Sequence, residues 1–214
     1  QALETELEQA RAAGDRALLA ALYERGAGIA AQDPALCDWQ ARMAIALGDL
    51  YAAEGDYQAA ASAYDRHAPQ AAPPLLVARL GLALLASNPT RAGHVLYDVL
   101  QIVSPGYRED LRVRLEAGLV WAMVLGGSTY EAERYGRETL AKLGDTSGLG
   151  AARTLMRGTL GMVLFYQGSE QEARPYLESA RAGWEARGDM HGVLLMNRVL
   201  SGASRQEITP TWVR

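Results

Sequence analysis

Cysteine is nearly absent from this chain of 214 residues, where Cys37 stands alone. No intrachain disulfide can form, so no cross-linked framework fixes the fold or its redox compartment. A single Cys among Ala and Leu reads as a small core residue. Lysine is as rare: Lys142 is one of 21 bases and all the others are Arg. Against 25 acids, the formal net charge is −4. That balance lacks the concentrated basic face that nucleic acid requires. It also lacks a polybasic membrane patch. Val and Ile number only 11 and 4, too few for a β-rich fold. The longest uncharged apolar run, 117–127, contains Gly118, Gly126 and Gly127 and is too short to span a bilayer. No basic-then-apolar leader opens the chain, so a cytoplasmic location is expected. The first residue is Gln, which suggests a piece of a longer protein or a processed chain.

Chemistry-bearing motifs are missing too. None of His67, His94 and His191 forms a His-Glu-x-x-His pair, and none is spaced with Cys37 for a metal. Asp65 and His67 lie two apart and face different directions on a helix. There is no phosphate loop, and no Gly-x-Ser-x-Gly elbow. Gly126-Gly127-Ser128 reads as a turn. The glycines at 144, 148 and 150 join two helices, whereas a dinucleotide fingerprint joins a strand to a helix. Glu109 and Asp110 are solvated sequence neighbours. The expectation is a protein with no catalytic residues, no metal ligands and no cofactor.

What is present is Ala and Leu, 38 and 30 residues, about a third of the chain. Both rank high in helix propensity. With 49% hydrophobic and 21% charged residues, the composition is that of an ordered globular protein. The expected fold class is all-α. The length suits one large domain or two small ones, able to bury roughly 70% of the unfolded surface.

A repeated grammar organises the helices. In 47–64, Leu47-Gly48 precedes Tyr51, the turn Gly55-Asp56, Ala60 and Tyr64. The pattern returns as Leu160-Gly161, Leu164, Gly168, Ala173, Leu177 and Ala180. Weaker copies carry Leu80-Gly81, Leu84 and the turn Asn88-Pro89-Thr90, then Ala117-Gly118, Trp121, Gly126-Gly127-Ser128 and Ala132. At the front, Gly14-Asp15 and Tyr23 repeat the turn and the second aromatic. Gly14 to Gly55 and Gly127 to Gly168 are both 41 residues. Each copy reads as two antiparallel helices that approach closely at the Gly, where no Cβ intervenes. Ser128 with Glu131, and Ser169 with Glu172, have the spacing of capping boxes. Asp33-Pro34 and Ser104-Pro105 read as helix starts. Pro69 and Pro73-Pro74 fall between helices.

These copies resemble the tetratricopeptide repeat, usually about 34 residues long. The resemblance implies a right-handed superhelix of helical hairpins (an α-solenoid). It divides the chain into repeats near 3–31, 41–68, 75–103, 108–143 and 155–187, with a cap helix at 190–200. Together these form one domain over 1–200, leaving 201–214 as a tail or linker. Two linkers 44 residues apart, Leu143-Gly144-Asp145 to Gly148 and Arg187-Gly188-Asp189 to Gly192, point to a subtype. They resemble those in bacterial transcription regulators of the maltose-activator and antibiotic-regulator type. In such proteins the repeats sense or transmit a signal while a separate domain binds DNA.

The resemblance also implies a concave face lined by the first helix of each pair. Projected from the Gly positions, that face holds Arg42, Ile45 and Asp49, then Leu82 and Leu85. It continues with Arg112, Leu115, Leu119 and Met123, and ends with Met162, Phe165 and Tyr166. Within each helix these lie three or four apart, or adjacent. The stripe is more apolar than a row of Lys, Arg and Asn that grips a peptide terminus. Arg79, Arg114 and Arg157 flank it. An amphipathic helix, a small amphipathic effector or the chain's own tail would suit such a face. The same spacing also fits inter-helix core. Phe165-Tyr166 stands out because adjacent aromatics should not both face one core. The leading expectation is a non-enzymatic interaction module that binds a protein or peptide there. The alternative is a ligand- or peptide-sensing domain of a transcription regulator. Apolar surface on end helices would admit a homodimer.

Overall fold

A computed structural model describes residues 2–30, 37–66, 73–103, 109–144 and 148–202. The expectations for Asp33-Pro34, His67, Pro69, Ser104-Pro105 and most of the 201–214 tail lie outside them, as does the Cys37 side chain. The described residues are all-α: eleven helices and no strand. They are α1 (Ala2–Ala13), α2 (Arg16–Ala30), α3 (Cys37–Ala53), α4 (Tyr57–Asp65), α5 (Pro74–Leu84) and α6 (Pro89–Ile102). There follow α7 (Glu109–Leu125), α8 (Thr129–Leu143), α9 (Gly150–Gln167), α10 (Glu170–Glu185) and α11 (Met190–Leu200). Pro74 is the first residue of α5, not part of a linker, because a missing N–H costs nothing at that position.

The Gly-Asp turns show how local chemistry sets the boundaries. At Gly55 the backbone turns left-handed, φ 84°, which glycine adopts without a Cβ penalty. Asp56 then accepts a hydrogen bond from the Ala59 amide at 2.9 Å and opens α4. Asp189 does the same for α11, accepting from the Gly192 amide at 3.1 Å. The two serine caps differ from expectation. Ser128 and Ser169 occupy the cap positions of α8 and α10, yet neither side chain bonds the helix. Both hold ψ at 55°, short of the extended conformation typical of a cap, and the short hydroxyl does not reach. The first backbone bonds still form, Ser128 O accepting from the Ala132 amide and Ser169 O from the Ala173 amide.

Packing separates the chain into two compact units, Gln1–Asn88 and Pro89–Arg214. Within the first, α1 to α5 pack consecutively and α3 also touches α5. Within the second, α6 to α11 pack consecutively, and α7 touches α9 and α9 touches α11. Glycines set the closest approaches. A Cβ on Gly48 of α3 would collide with the Tyr64 ring of α4. Sixteen residues separate that pair, and sixteen separate Gly161 of α9 from Leu177 of α10, where a Cβ would meet the leucine at 2.8 Å. Tyr64 and Leu177 are buried as a result. Burying a side chain of this size contributes on the order of 1.5–3 kcal/mol.

The main core of the second unit joins Val120, Trp121, Leu160, Val163, Leu177 and Trp184 with Met196 of α11. A smaller cluster of Val113, Ala117, Leu143, Ala152 and Met156 lies at the other end of α7 and α9.

Candidate functional site

In the second unit, the expected face divides into buried and accessible residues. Leu115, Leu119 and Met162 are buried, so their side chains are packing residues within the chain. Met123, Phe165 and Tyr166 are half-buried and rest on the core cluster. Tyr166 meets Trp121 edge to face, with ring centroids 5.2 Å apart and an interplanar angle of 89°, a favourable quadrupole geometry. Phe165 and Tyr166 both pack on one cluster, contrary to the expectation that neighbours face different surroundings. The 100° between successive helical residues lets both lie along its rim. The end of α9 is anchored: Gln167 Nε2 donates to Thr129 O at 3.0 Å. Gly168 closes the helix with its amide toward Leu164 O and Phe165 O. The result is an aromatic and thioether shelf at the C-terminal ends of α7 and α9.

Arg112 is engaged elsewhere. Its Nη1 donates to Val103 O at 2.8 Å, and Nε lies 3.4 Å from Glu116 Oε1. Burial pushes the Glu116 carboxyl above the ordinary range, against the pull of Arg112 and Lys142, with Glu109 adding to the rise. The pair therefore ties the start of α7 to the end of α6. Of the flanking arginines, Arg157 donates to Ser179 Oγ at 3.1 Å. Arg114 is exposed and makes no hydrogen bond or ion pair with the described residues.

In the first unit, Arg42 is exposed, Ile45 is half-buried, and Leu82 and Leu85 are buried. Asp49 is occupied by structure: Tyr64 Oη donates to its Oδ1 at 2.7 Å, and Arg79 Nε lies 3.5 Å from the same oxygen. Burial, then the Asp49 hydrogen bond, raises the Tyr64 hydroxyl far above its ordinary pKa. One carboxylate thus links α3, α4 and α5.

The sequence reading missed a cavity of about 330 Å³ in the second unit. Asp110 and Arg114 of α7 form one wall. Ala151, Ala152 and Leu155 of α9, with Trp184 of α10, form the floor. Arg187, Asp189 and His191, around the α10–α11 turn, complete it. In the sequence the linker 187–192 stood out as a boundary between helices and a sign of a repeat subtype, not as the wall of a cavity. Its Arg and His were the available signal, but nothing in one dimension placed them opposite Arg114. Among the described residues, no three His, Cys, Asp or Glu side chains could hold a metal ion together.

The contacts between consecutive and alternate helices define an all-α protein whose helices pack largely in chain order within each unit. The chain matches no family model and no curated protein. Its fold is similar to that in the crystal structure of BtubC (BKLC) from P. vanneervenii, with a TM-score of 0.53 and 18% identity. The alignment covers 99% of this chain and 95% of that one. At this identity the likeness is one of fold alone.

Proposed function

We propose that the chain is a non-enzymatic binding module of the tetratricopeptide-like kind, a solenoid that holds a polypeptide against the first helices of its hairpins. The packing of alternate helices carries this reading. In a stack of hairpins, the first helix of one pair lies beside the first helix of the next. The contacts of α3 with α5, α7 with α9, and α9 with α11 fit that arrangement. Met123, Phe165 and Tyr166 supply half-exposed apolar area on two such helices. An amphipathic helix laid in a groove is recognised by this chemistry. The accessible members of the expected stripe carry the role here, and the buried leucines support them.

A photo-crosslinking amino acid at position 166 tests this, with position 130 on α8 as the control, because Tyr130 is exposed. A polypeptide captured from host lysate at 166 and not at 130 supports the reading. Equal capture at both, or capture at 130 alone, overturns the assignment of the face. The second reading, a sensing domain of a bacterial transcription regulator, draws on the 330 Å³ cavity and on the linkers that resemble that subtype.

A further inference from the structure

The cavity at the N-terminal ends of α7 and α9 has a rigid floor. The Trp184 indole is held between Gly158 of α9 and Gly192 of α11. A Cβ on Gly158 would lie 2.5 Å from the ring, and one on Gly192 would collide with it. Leu155 and Ala152 continue the apolar surface beside it. Asp189 fixes the adjoining turn by capping α11.

The polar groups around this floor are unevenly engaged. Asp189 Oδ1 already accepts from the Gly192 amide, and Asp110 has a partner. Arg187 Nη1 donates to Thr154 Oγ1 at 3.1 Å and to Gly150 O at 3.4 Å. Its Nε and Nη2 make no bond with the described residues. Neither Arg114 nor His191 has a hydrogen bond or ion pair with them. In addition, α9 begins at Gly150 and its cap residue Leu149 gives no side-chain bond, so amides of its first turn are unsatisfied by a cap. Beside the second carboxylate oxygen of Asp189, the unspent groups include two guanidinium forks suited to a planar carboxylate. Two Arg and two Asp on the walls sum to zero formal charge, which admits a monoanion and opposes a dianion.

We propose that this cavity binds a small organic monoanion, a carboxylate on a flat apolar body. The body rests on Leu155 and Ala152 beside the exposed edge of Trp184, and the carboxylate faces Arg114 and Arg187. The volume lies at the lower end for small-molecule sites, which suits one ring and a short acid arm. This site does not depend on the polypeptide reading. Leu155 and Tyr166 are 11 residues apart on α9, about 16 Å along the axis.

Titration of the whole chain with 3-phenylpropionate, followed by amide and indole NMR, tests it. Comparison titrations use 3-phenylpropionamide and inorganic phosphate. The acid is expected to shift the Gly192 amide and the Trp184 indole N–H saturably, within about 10 mM. The neutral amide and phosphate should bind at least about tenfold more weakly, the loss expected for a charge-assisted hydrogen bond. Arg114→Gln should weaken the acid by a similar factor. Arg114 makes no hydrogen bond or ion pair with the described residues, and His191→Gln serves as a second probe. Equal binding of acid and amide, tighter phosphate, unchanged affinity in both variants, or no shift at Gly192 and Trp184 overturns the proposal.

Discussion

Gly161 and Gly136 lie in neighbouring hairpins and predict opposite responses to one added methyl group. At Gly161 the new Cβ meets the Leu177 side chain and backbone at 2.8 to 3.1 Å. The leucine is buried and cannot swing away. Gly161→Ala should destabilise the protein by about 1–3 kcal/mol, as overpacking does. At Gly136 of α8 the nearest atom is 3.5 Å away, an ordinary contact. Gly136→Ala should stabilise by roughly 0.5–1 kcal/mol through helix propensity. Urea midpoints of the two variants, read by circular dichroism, check both signs. Glu116 gives a further prediction at this scale. Burial holds its folded pKa above the unfolded value. Its contribution is therefore fully present below the unfolded pKa and is lost as pH rises through the folded one. Stability of Glu116→Gln relative to wild type should increase from acid toward neutral pH. A decrease over that range would show that Arg112 outweighs burial.

Helix ends and cross-helix straps act at the scale of the element. Asp189 caps α11, a helix of 11 residues too short to be stable by propensity alone. Asp189→Ala should cost about 1 kcal/mol and raise hydrogen exchange in the first turn of α11 more than in α9. Uniform loss of protection across both helices would place the effect in the core and not in the cap. Arg137 of α8 works between elements. It bonds Glu133 on its own helix at 2.8 Å, and Tyr176 Oη at 3.1 Å and Glu172 on α10. Its guanidinium also lies 5.9 Å from the Tyr176 ring centroid. With the Arg137 side chain 36% exposed, solvent screening leaves this strap a modest contributor. It ties α8 to α10 through side chains.

Across the whole molecule, α5 belongs to one compact unit and α6 to the other. Within each unit every helix packs on its neighbours in the chain, so stability is distributed locally. Gly48→Ala, which drives a Cβ into Tyr64, should raise hydrogen exchange in α1 to α5 more than in α6 to α11. Gly161→Ala should do the reverse. Exchange that rises equally everywhere in both variants would mean that the two units open as one.

The sequence by itself determined the helices and their punctuation. Those depend on local quantities: Ala and Leu propensity, left-handed glycines such as Gly55, and an aspartate one residue later to cap. Gly48 and Gly161 were legible as close approaches because a missing Cβ leaves a periodic trace. The accessibility of the stripe was not legible. Leu115 and Met123 share one helix face by spacing, yet one is buried and the other half-exposed. Which of them meets solvent depends on the helices packed above. Asp49 and Arg112 looked like groove residues until their partners, Tyr64 and Val103, were brought beside them. The cavity was decided wholly by tertiary structure. Arg114 and His191 are 77 residues apart, and only the packing of α7, α9, α10 and α11 brings them to one cavity.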